Sequence, residues 1–526
     1  MTDRTRPRWV LAAMCLSIAL MNIDVLALSV ALPDLQRGLN LTDAQLQWSM
    51  NSFLLALTVF LITGGRLGDM YGRKRMFLVG LGVFLVASLF SGLAQSAAWL
   101  IAARAVQGVG YAIVFPLTLA LLAETFAPAE RPRVMGTWGA AAAIGDSLGP
   151  LVGGVLVAAI DWRAVFFINI PIGLACFALT ALSARESRAP GRQRLDVTGL
   201  ATLTVGLTCL VVAITEGTAW GWGSPATLLL FGVAVTTLAV FALVEARVRQ
   251  PLIPLRLFRS RIFNAANAVG FLLVGIYYLF FYQLALYFQL VEGFSPARAG
   301  LAFLPFTLAA FVGSQLSGRV MARYGARLPL TLGSGVAAAA LLILALVQSN
   351  TSYVYIAAAL VVLGIGFLFA WSPLAAVVVN STPRNQSGAA SGANIMFRNA
   401  GGTIALAVGL ALSQSVEAAR LAELSQPAGA LTAGEAHDVK GLLAGSERAT
   451  EAIAHLPAEA QAEVASAARL AEVAGFTAVM WMLLGFAVAC LVIAWLTLGR
   501  LGSTEARSRR GRRRFRWRAR WSARSG

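Results

Sequence analysis

The chain has 526 residues, 58% of them hydrophobic and only 13% charged, with a mean hydropathy of +0.73 and a net charge of +18. So little charge excludes a large water-soluble globule and points to a polytopic membrane protein. In hydrocarbon each backbone amide needs an internal partner, so long apolar runs are read as helices and the fold class as all-α.

Apolar runs of roughly 20 residues, enough helix to cross about 30 Å of hydrocarbon, recur fourteen times along the chain. They centre near Ile18, Leu57, Leu85, Ile113, Gly145, Ala175, Val205, Val235, Leu279, Ala310, Ala340, Leu363, Ala405 and Phe486. Every second connection is basic: Arg4, Arg6 and Arg8; Arg73, Lys74 and Arg75; Arg131 and Arg133; Arg185, Arg188, Arg192 and Arg194; Arg247 to Arg261; Arg319 to Arg327; Arg384. The intervening connections hold little beyond Arg37, Arg163 and Arg298. By the positive-inside rule both termini are expected in the cytoplasm, and the long acidic segment 414–473, a candidate for amphipathic helices, outside the cell. The tail RSRRGRRRFRWRARW (507–521) reads as a segment lying against anionic lipid, with no nucleic-acid partner expected.

Cys15, Cys176, Cys209 and Cys490 fall in separate apolar runs without CxxC spacing, so neither a disulfide framework nor a metal site is expected. His437 and His455 share one polar segment, which leaves carboxylates as the expected proton carriers within the membrane. Lys74 follows Arg73 and Lys440 follows Val439, so the Gly-Lys-Ser/Thr of a Walker A loop is absent. No GxSxG elbow near a histidine and no HExxH is present, so no enzymatic chemistry is visible. The expectation is a transporter that needs no cofactor and runs on an ion gradient.

GGRLGDMYGRKRMF (64–77) returns in weaker form as SGRVMARYGARLPL (317–330): Gly318, Gly325 and Arg327 match Gly65, Gly72 and Lys74, while Ala322 replaces Asp69. Two related halves are implied. Gly65, Gly68, Asp69, Gly72, Arg73 and Lys74 spell G-x-L-G-D-x-x-G-R-K, which resembles the loop motif of the major facilitator superfamily, with Met70 where a basic residue is usual. Arg104, Gln107, Gly108 and Gly110 are similar to a second motif of that family. Gly136, Gly145, Gly149, Pro150, Gly153 and Gly154 fit the spacing G-x8-G-x3-G-P-x2-G-G of its drug:proton antiporters. MNIDVLALSVALPDL (21–35), DWRAVFFINIPIG (161–173) and SGAASGANIMFRNAGG (387–402) resemble the fourteen-helix branch.

The resemblance implies two six-helix bundles (1–184 and 263–498), a connecting segment with two inserted helices (185–262), and a basic cytoplasmic tail (499–526). It implies a monomeric, proton-coupled exporter of hydrophobic or cationic compounds in the plasma membrane, with Asp69, Arg73 and Lys74 gating by a latch between Asp69 and the helix beginning near Ser387. The alternatives are export or symport of one metabolite and, more remotely, a membrane sensor that does not transport.

An ionisable group at the centre of a bilayer costs roughly 2.5–3.5 kcal/mol on insertion scales, so such groups mark function. Counting ~1.5 Å of rise per residue places Asp24, Arg104 and Asp146 some ~18–22 Å from the cytoplasmic face, in one layer. Two carboxylates with one arginine are read as the proton-coupling site, facing a common cavity. Gly145, Gly149 and Gly153 are four apart and form a smooth packing face, with a bend at Pro150. Tyr277, Tyr278, Tyr282 and Gln283 of the ninth run are the substrate-binding candidates, because aromatic faces bind cations and flat apolar compounds. Phe367 and Phe369 stand behind them.

Overall fold

The computed structural model describes residues 7–127, 130–188, 196–248, 251–252, 255–374, 377–378, 387–425 and 457–498. The basic tail, His437, His455, Lys440, Arg192, Arg194 and Arg384 lie outside them. Among the described residues there is no strand, and fourteen spans are long and apolar enough to cross a membrane.

The first five spans are α1 (Pro7–Leu39), α2 (Asp43–Tyr71), α3 (Arg73–Gly92), α4 (Ala97–Thr125) and α5 (Arg131–Ala159). A short turn, α6 (Ala164–Phe167), and α7 (Asn169–Ser183) make the sixth. The seventh and eighth are α8 (Val197–Trp220) and α9 (Pro225–Arg247). The ninth, α10 (Arg261–Leu286), runs on through a π-helical turn at Tyr287–Val291. The tenth joins α11 (Pro296–Ala302) to α12 (Leu304–Tyr324). Then come α13 (Arg327–Leu344), α14 (Tyr353–Trp371), α15 (Ser387–Ser425) and α16 (Ala458–Leu498). With an even number of spans, both ends of the described chain lie on one face, called here the terminal face; the opposite face is distal.

Hydroxyls set many of the helix starts. Thr42 and Gln45 form a reciprocal capping box on α2, and Ser96, Ser224, Ser260, Ser295 and Ser352 each accept a backbone N–H of the following turn. These caps satisfy amides that a helix end leaves without a partner.

The repeated loop is matched by repeated packing. In the first half α1 packs on α5, α2 on α4 and α3 on α4; in the second α10 packs on α15, α12 on α14 and α13 on α14. Both loops turn on a left-handed glycine, Gly72 with φ +114° and Gly325 with φ +81°, a conformation any side chain would strain. The basic residue two positions on then reaches a carbonyl near the end of its bundle's last span. Lys74 Nζ donates to Ala181 O at 2.7 Å, and Arg327 Nη2 to Trp495 O at 3.2 Å.

The inserted pair forms a hairpin whose first helix, α8, rests on both α2 and α15. Gln47 Nε2 donates to Thr215 Oγ1 at 3.5 Å and Trp48 Nε1 to Glu216 Oε1 at 2.9 Å. At the terminal face Arg66 donates to Pro251 O within the field of Glu245 and Asp196. The second helix of the hairpin turns Leu229 and Val235 outward, 67% and 68% exposed, as lipid-facing side chains are.

The segment expected as a loop, 414–473, is helical at both ends. α15 continues to Ser425 and α16 begins at Ala458, and Leu421, Val464, Ala467 and Ala471 bury a small apolar seam between them. Residues 426–456 lie outside the described residues.

Candidate functional site

The stretch GDSLGPLVGG (145–154) builds two faces on one helix, because residues four apart stack on one side of a helix and a one-residue step rotates by about 100°. Gly145, Gly149 and Gly153 form the first face, against α1. A Cβ on Gly145 would stand 2.5 Å from Ala19 O, one on Gly149 2.7 Å from Leu26 Cβ, and one on Gly153 2.4 Å from Ala27 O. Asp146, Pro150 and Gly154 form the second face, toward the other bundle. There a Cβ on Gly154 would come within 2.2 Å of Pro296 O, and one on Gly300 within 2.4 Å of Pro150 O. The motif is thus a close-packed joint with α1 and, one residue over, a distal closure against the tenth span.

Toward the terminal face the same seam parts. Gly136 and Gly139 on α5 and Gly318 on α12 have nothing within 4 Å of where a Cβ would be. Other contacts across the bundles lie at the midplane, Thr58 Oγ1 with Thr403 Oγ1 at 3.4 Å, or on the distal side, Gln289 Nε2 to Val30 O at 2.8 Å. Along the α5 seam the molecule is shut distally and open toward the termini.

Asp24 and Arg104 meet as expected, but in the packed interior of the first bundle. Arg104 Nη1 lies 2.9 Å from Asp24 Oδ2, with the side chains 1% and 0% exposed. Gln107 Nε2 at 2.9 Å and Asn169 Nδ2 at 2.6 Å donate to Asp24 Oδ1. Arg104 also donates to Gln107 Oε1 at 2.8 Å and Ser49 O at 3.2 Å, with its guanidinium 4.3 Å from the centroid of Phe53. The carboxylate thus holds three donors.

Asp146 does not join this group, which corrects the expectation of one three-residue layer. Depth along the helices is similar, but the side chain leaves α5 on the seam face rather than the α1 face. It lies beside the Tyr277 hydroxyl and the Asn22 amide, in the field of Arg398, and is partly exposed. The Tyr277 hydroxyl has no hydrogen bond of regular geometry. Asn22 is fixed from behind, accepting from Tyr111 Oη at 2.8 Å and donating to Ala142 O at 3.2 Å.

Across the seam Arg398 of α15 sits over the Trp371 ring, 4.0 Å from its centroid. Tyr277 stacks on Phe367 at 5.7 Å and lies 5.5 Å from Tyr278 and 6.3 Å from Trp371. On the first bundle Tyr111, Phe115 and Trp138 continue the aromatic lining, with centroids 5.9 and 5.7 Å apart. The four substrate candidates of the ninth span divide. Tyr277 and Tyr278 are partly exposed on the seam. Tyr282 and Gln283 are 3% and 2% exposed, and Gln283 Nε2 is spent on Ser413 Oγ at 2.7 Å; five residues of helix from Tyr277 carry them to a different face. Phe367 is buried behind Tyr277, and Phe369 is partly exposed.

The repeated loop of the first half is braced within its own bundle. Asp69 pairs with Arg73 at 2.9 Å, and Arg73 with Glu124 at 3.0 Å. Gly68 lies against Leu117, where a Cβ would stand at 2.2 Å, and Gly65 faces Pro116. The Glu186 carboxylate accepts the backbone N–H groups of Lys74 and Arg75 at 3.1 and 3.0 Å, an anion on a helix N-terminus. The partner expected for Asp69 is the N-terminal end of α15 near Ser387 to Ser391, whose side chains lie outside the described residues; the ion pair seen at Asp69 is with Arg73.

Sequence reasoning passed over Arg398, Trp371, Asn22 and Asn169. Arg398 had a plain signal, a lone cation in the middle of an apolar span. Asn169, a single amide in FFINIPIG, carried none until the fold set it beside Asp24. Among the described residues no group of three His, Cys, Asp or Glu side chains could hold a metal.

Residues 12–406 match the Major Facilitator Superfamily. The chain is 34% identical over 408 residues to the tetracenomycin C resistance and export protein of Streptomyces glaucescens, covering 77% of this chain and 76% of that protein. It is 37% identical over 385 residues to the methylenomycin A resistance protein of Streptomyces coelicolor, with 72% and 80% covered. Among solved structures, a bacterial homolog of the human lysosomal transporter Spinster, captured inward-facing and unoccupied, superposes with a TM-score of 0.63 at 18% identity, covering 93% of this chain and 96% of that one. With the paired packing of its halves, the matched residues and these relatives, the chain is a multi-pass membrane protein that belongs to the Major Facilitator Superfamily.

Proposed function

We propose that the protein exports small aromatic, drug-like compounds from the cytoplasm in exchange for protons. Relatives named for resistance and export support the substrate class. The observation that carries the reading is Asp146, a partly open carboxylate at mid-depth on the seam, one helical turn from the closure at Pro150 and Gly300. Protonation and substrate then compete for one acid. A carboxylate that must be neutral when the site is empty and charged when a drug amine occupies it links the two flows. Asp24 is read as the paired centre that holds the first bundle together, and Asp146 as the proton carrier.

The basic connections at Arg73, Lys74 and Arg75 and at Arg185 and Arg188 support reading the terminal face as cytoplasmic, in a plasma membrane, with the monomer as the working unit. The proton gradient supplies about 1.4 kcal/mol per pH unit and about 2.3 kcal/mol per 100 mV. Everted membrane vesicles loaded with a pH-sensitive dye provide the test. Adding a lipophilic aromatic amine should release protons from vesicles bearing the protein, and Asp146→Asn should abolish the release. Uphill drug uptake that survives full collapse of the proton gradient would overturn the proposal.

A further inference from the structure

The seam carries two opposite charges on two different bodies: Asp146 on the first bundle and Arg398 on the second. Arg398 is the less expected of the two. Among the described residues no carboxylate lies within ion-pair distance of it and no hydrogen bond satisfies it; its Nε is buried without an acceptor, and its one close partner is the face of Trp371. A guanidinium offers five donors in a planar fork and cannot shed its proton. Held at mid-membrane without an acceptor, it is costly unless a ligand supplies one. It stands ~17 Å along α15 from Ser387 and Asp146 ~22 Å along α5 from Arg131, both in the middle part of their spans.

From this juxtaposition we infer that the seam is built for amphoteric aromatic compounds, molecules carrying both an acidic oxygen and a basic amine. The acidic oxygen docks on Arg398, the amine on Asp146, and the ring system lies along Tyr277, Tyr278 and Trp371. A simple cation satisfies Asp146 but meets the repulsion of Arg398. A simple acid satisfies Arg398 but meets the repulsion of Asp146. The amphoteric molecule pairs with both groups and bridges the two bundles, so its binding depends on their relative position. This refines the expected preference for cations and rests on the export reading above.

The experiment uses the full-length protein in proteoliposomes and three probes sharing one aromatic skeleton: amine with carboxylate, amine with methyl ester, and acid with acetylated amine. The wild-type protein should transport the amphoteric probe with a kcat/KM roughly tenfold to a hundredfold above either single-charge probe, the range expected for one charged hydrogen bond. Arg398→Gln should erase that advantage over the ester while leaving ester transport equal or improved; Arg398→Lys should restore part of it. Asp146→Asn, which is expected to lose proton-linked transport, is read by equilibrium binding to the purified protein, where the advantage of the amphoteric probe over the acetylated acid should be erased. An ester preferred by the wild type, with the ratio of probes unmoved in Arg398→Gln, would overturn the inference and leave export standing. Failure of the wild type to transport any probe, or any compound of a wider drug panel, would overturn both. Should Arg398→Gln not reach the membrane, equilibrium binding of the three probes to purified Arg398→Lys decides: an unchanged ranking against wild type supports a charge-reading site, and loss of binding to all three alike overturns it.

Discussion

Asp24 and Asp146 are both carboxylates at mid-membrane on neighbouring helices, and they live in opposite circumstances. Asp24 is enclosed, paired with Arg104 and held by two amides. Asp146 is reachable from the seam and faces the Asn22 amide together with a hydroxyl and a guanidinium that are themselves incompletely paired. Every donor around Asp24 stabilises one arrangement of five helices, whereas the groups around Asp146 belong to two bodies that can separate. Depth in the membrane does not tell a structural charge from a working one; the number of committed partners does.

That contrast predicts different losses. Arg104→Ala should remove about 3–5 kcal/mol of stability, because it takes the cation paired with the Asp24 carboxyl out of a packed interior. The loss should appear as lower yield and a lower melting temperature in detergent, and a variant as stable as wild type would erase the distinction between the two acids. Asp146→Asn should leave the stability within about 0.5 kcal/mol of wild type and cut proton-linked export at least tenfold, so that the loss falls on function alone.

The distal closure sits between these in effect. Gly154→Val should force the fifth and tenth spans apart at Pro296 with about 1–3 kcal/mol of overpacking. A cysteine at Ala297 should then become reactive toward a membrane-impermeant reagent added from the distal side, while in the unsubstituted background it should stay protected. The smallest effect is expected at the hairpin. Trp48→Phe removes one hydrogen bond to Glu216 and should cost about 0.5–1.5 kcal/mol with export retained.

Much of this was legible in the chain itself. Fourteen spans follow from run length, because hydrocarbon thickness fixes helix length, and the two halves follow from the recurrence of one loop. The pairing of Asp24 with Arg104 follows from depth along the helices. Direction around the axis does not, and it decided the fate of Asp146. Reading Gly145, Gly149 and Gly153 as a packing face already implied that Asp146, a residue further on, points elsewhere; the implication holds only once α1 is known to be the partner. Tyr282 and Gln283 fail for the same reason, since an aromatic run supplies several faces and only the fold selects one. The helical ends of 414–473, in α15 and α16, agree with its reading as a candidate for amphipathic helices, but their extent did not follow from an Ala/Glu-rich composition that suits a solvated helix as well as a loop.

The inserted hairpin has a consequence for how apolar compounds reach the seam from the lipid. The two bundles meet along two sides. On one, α8 lies across the junction of α2 and α15 and roofs it. On the other, α5 and the tenth span turn Ile144, Leu148, Leu308 and Leu316 outward, 54%, 38%, 66% and 40% exposed, with no helix over them among the described residues. The cover is therefore one-sided: under the proposed export reading, an apolar compound arriving from lipid would find the roofed junction closed and would first meet the helix that carries Asp146.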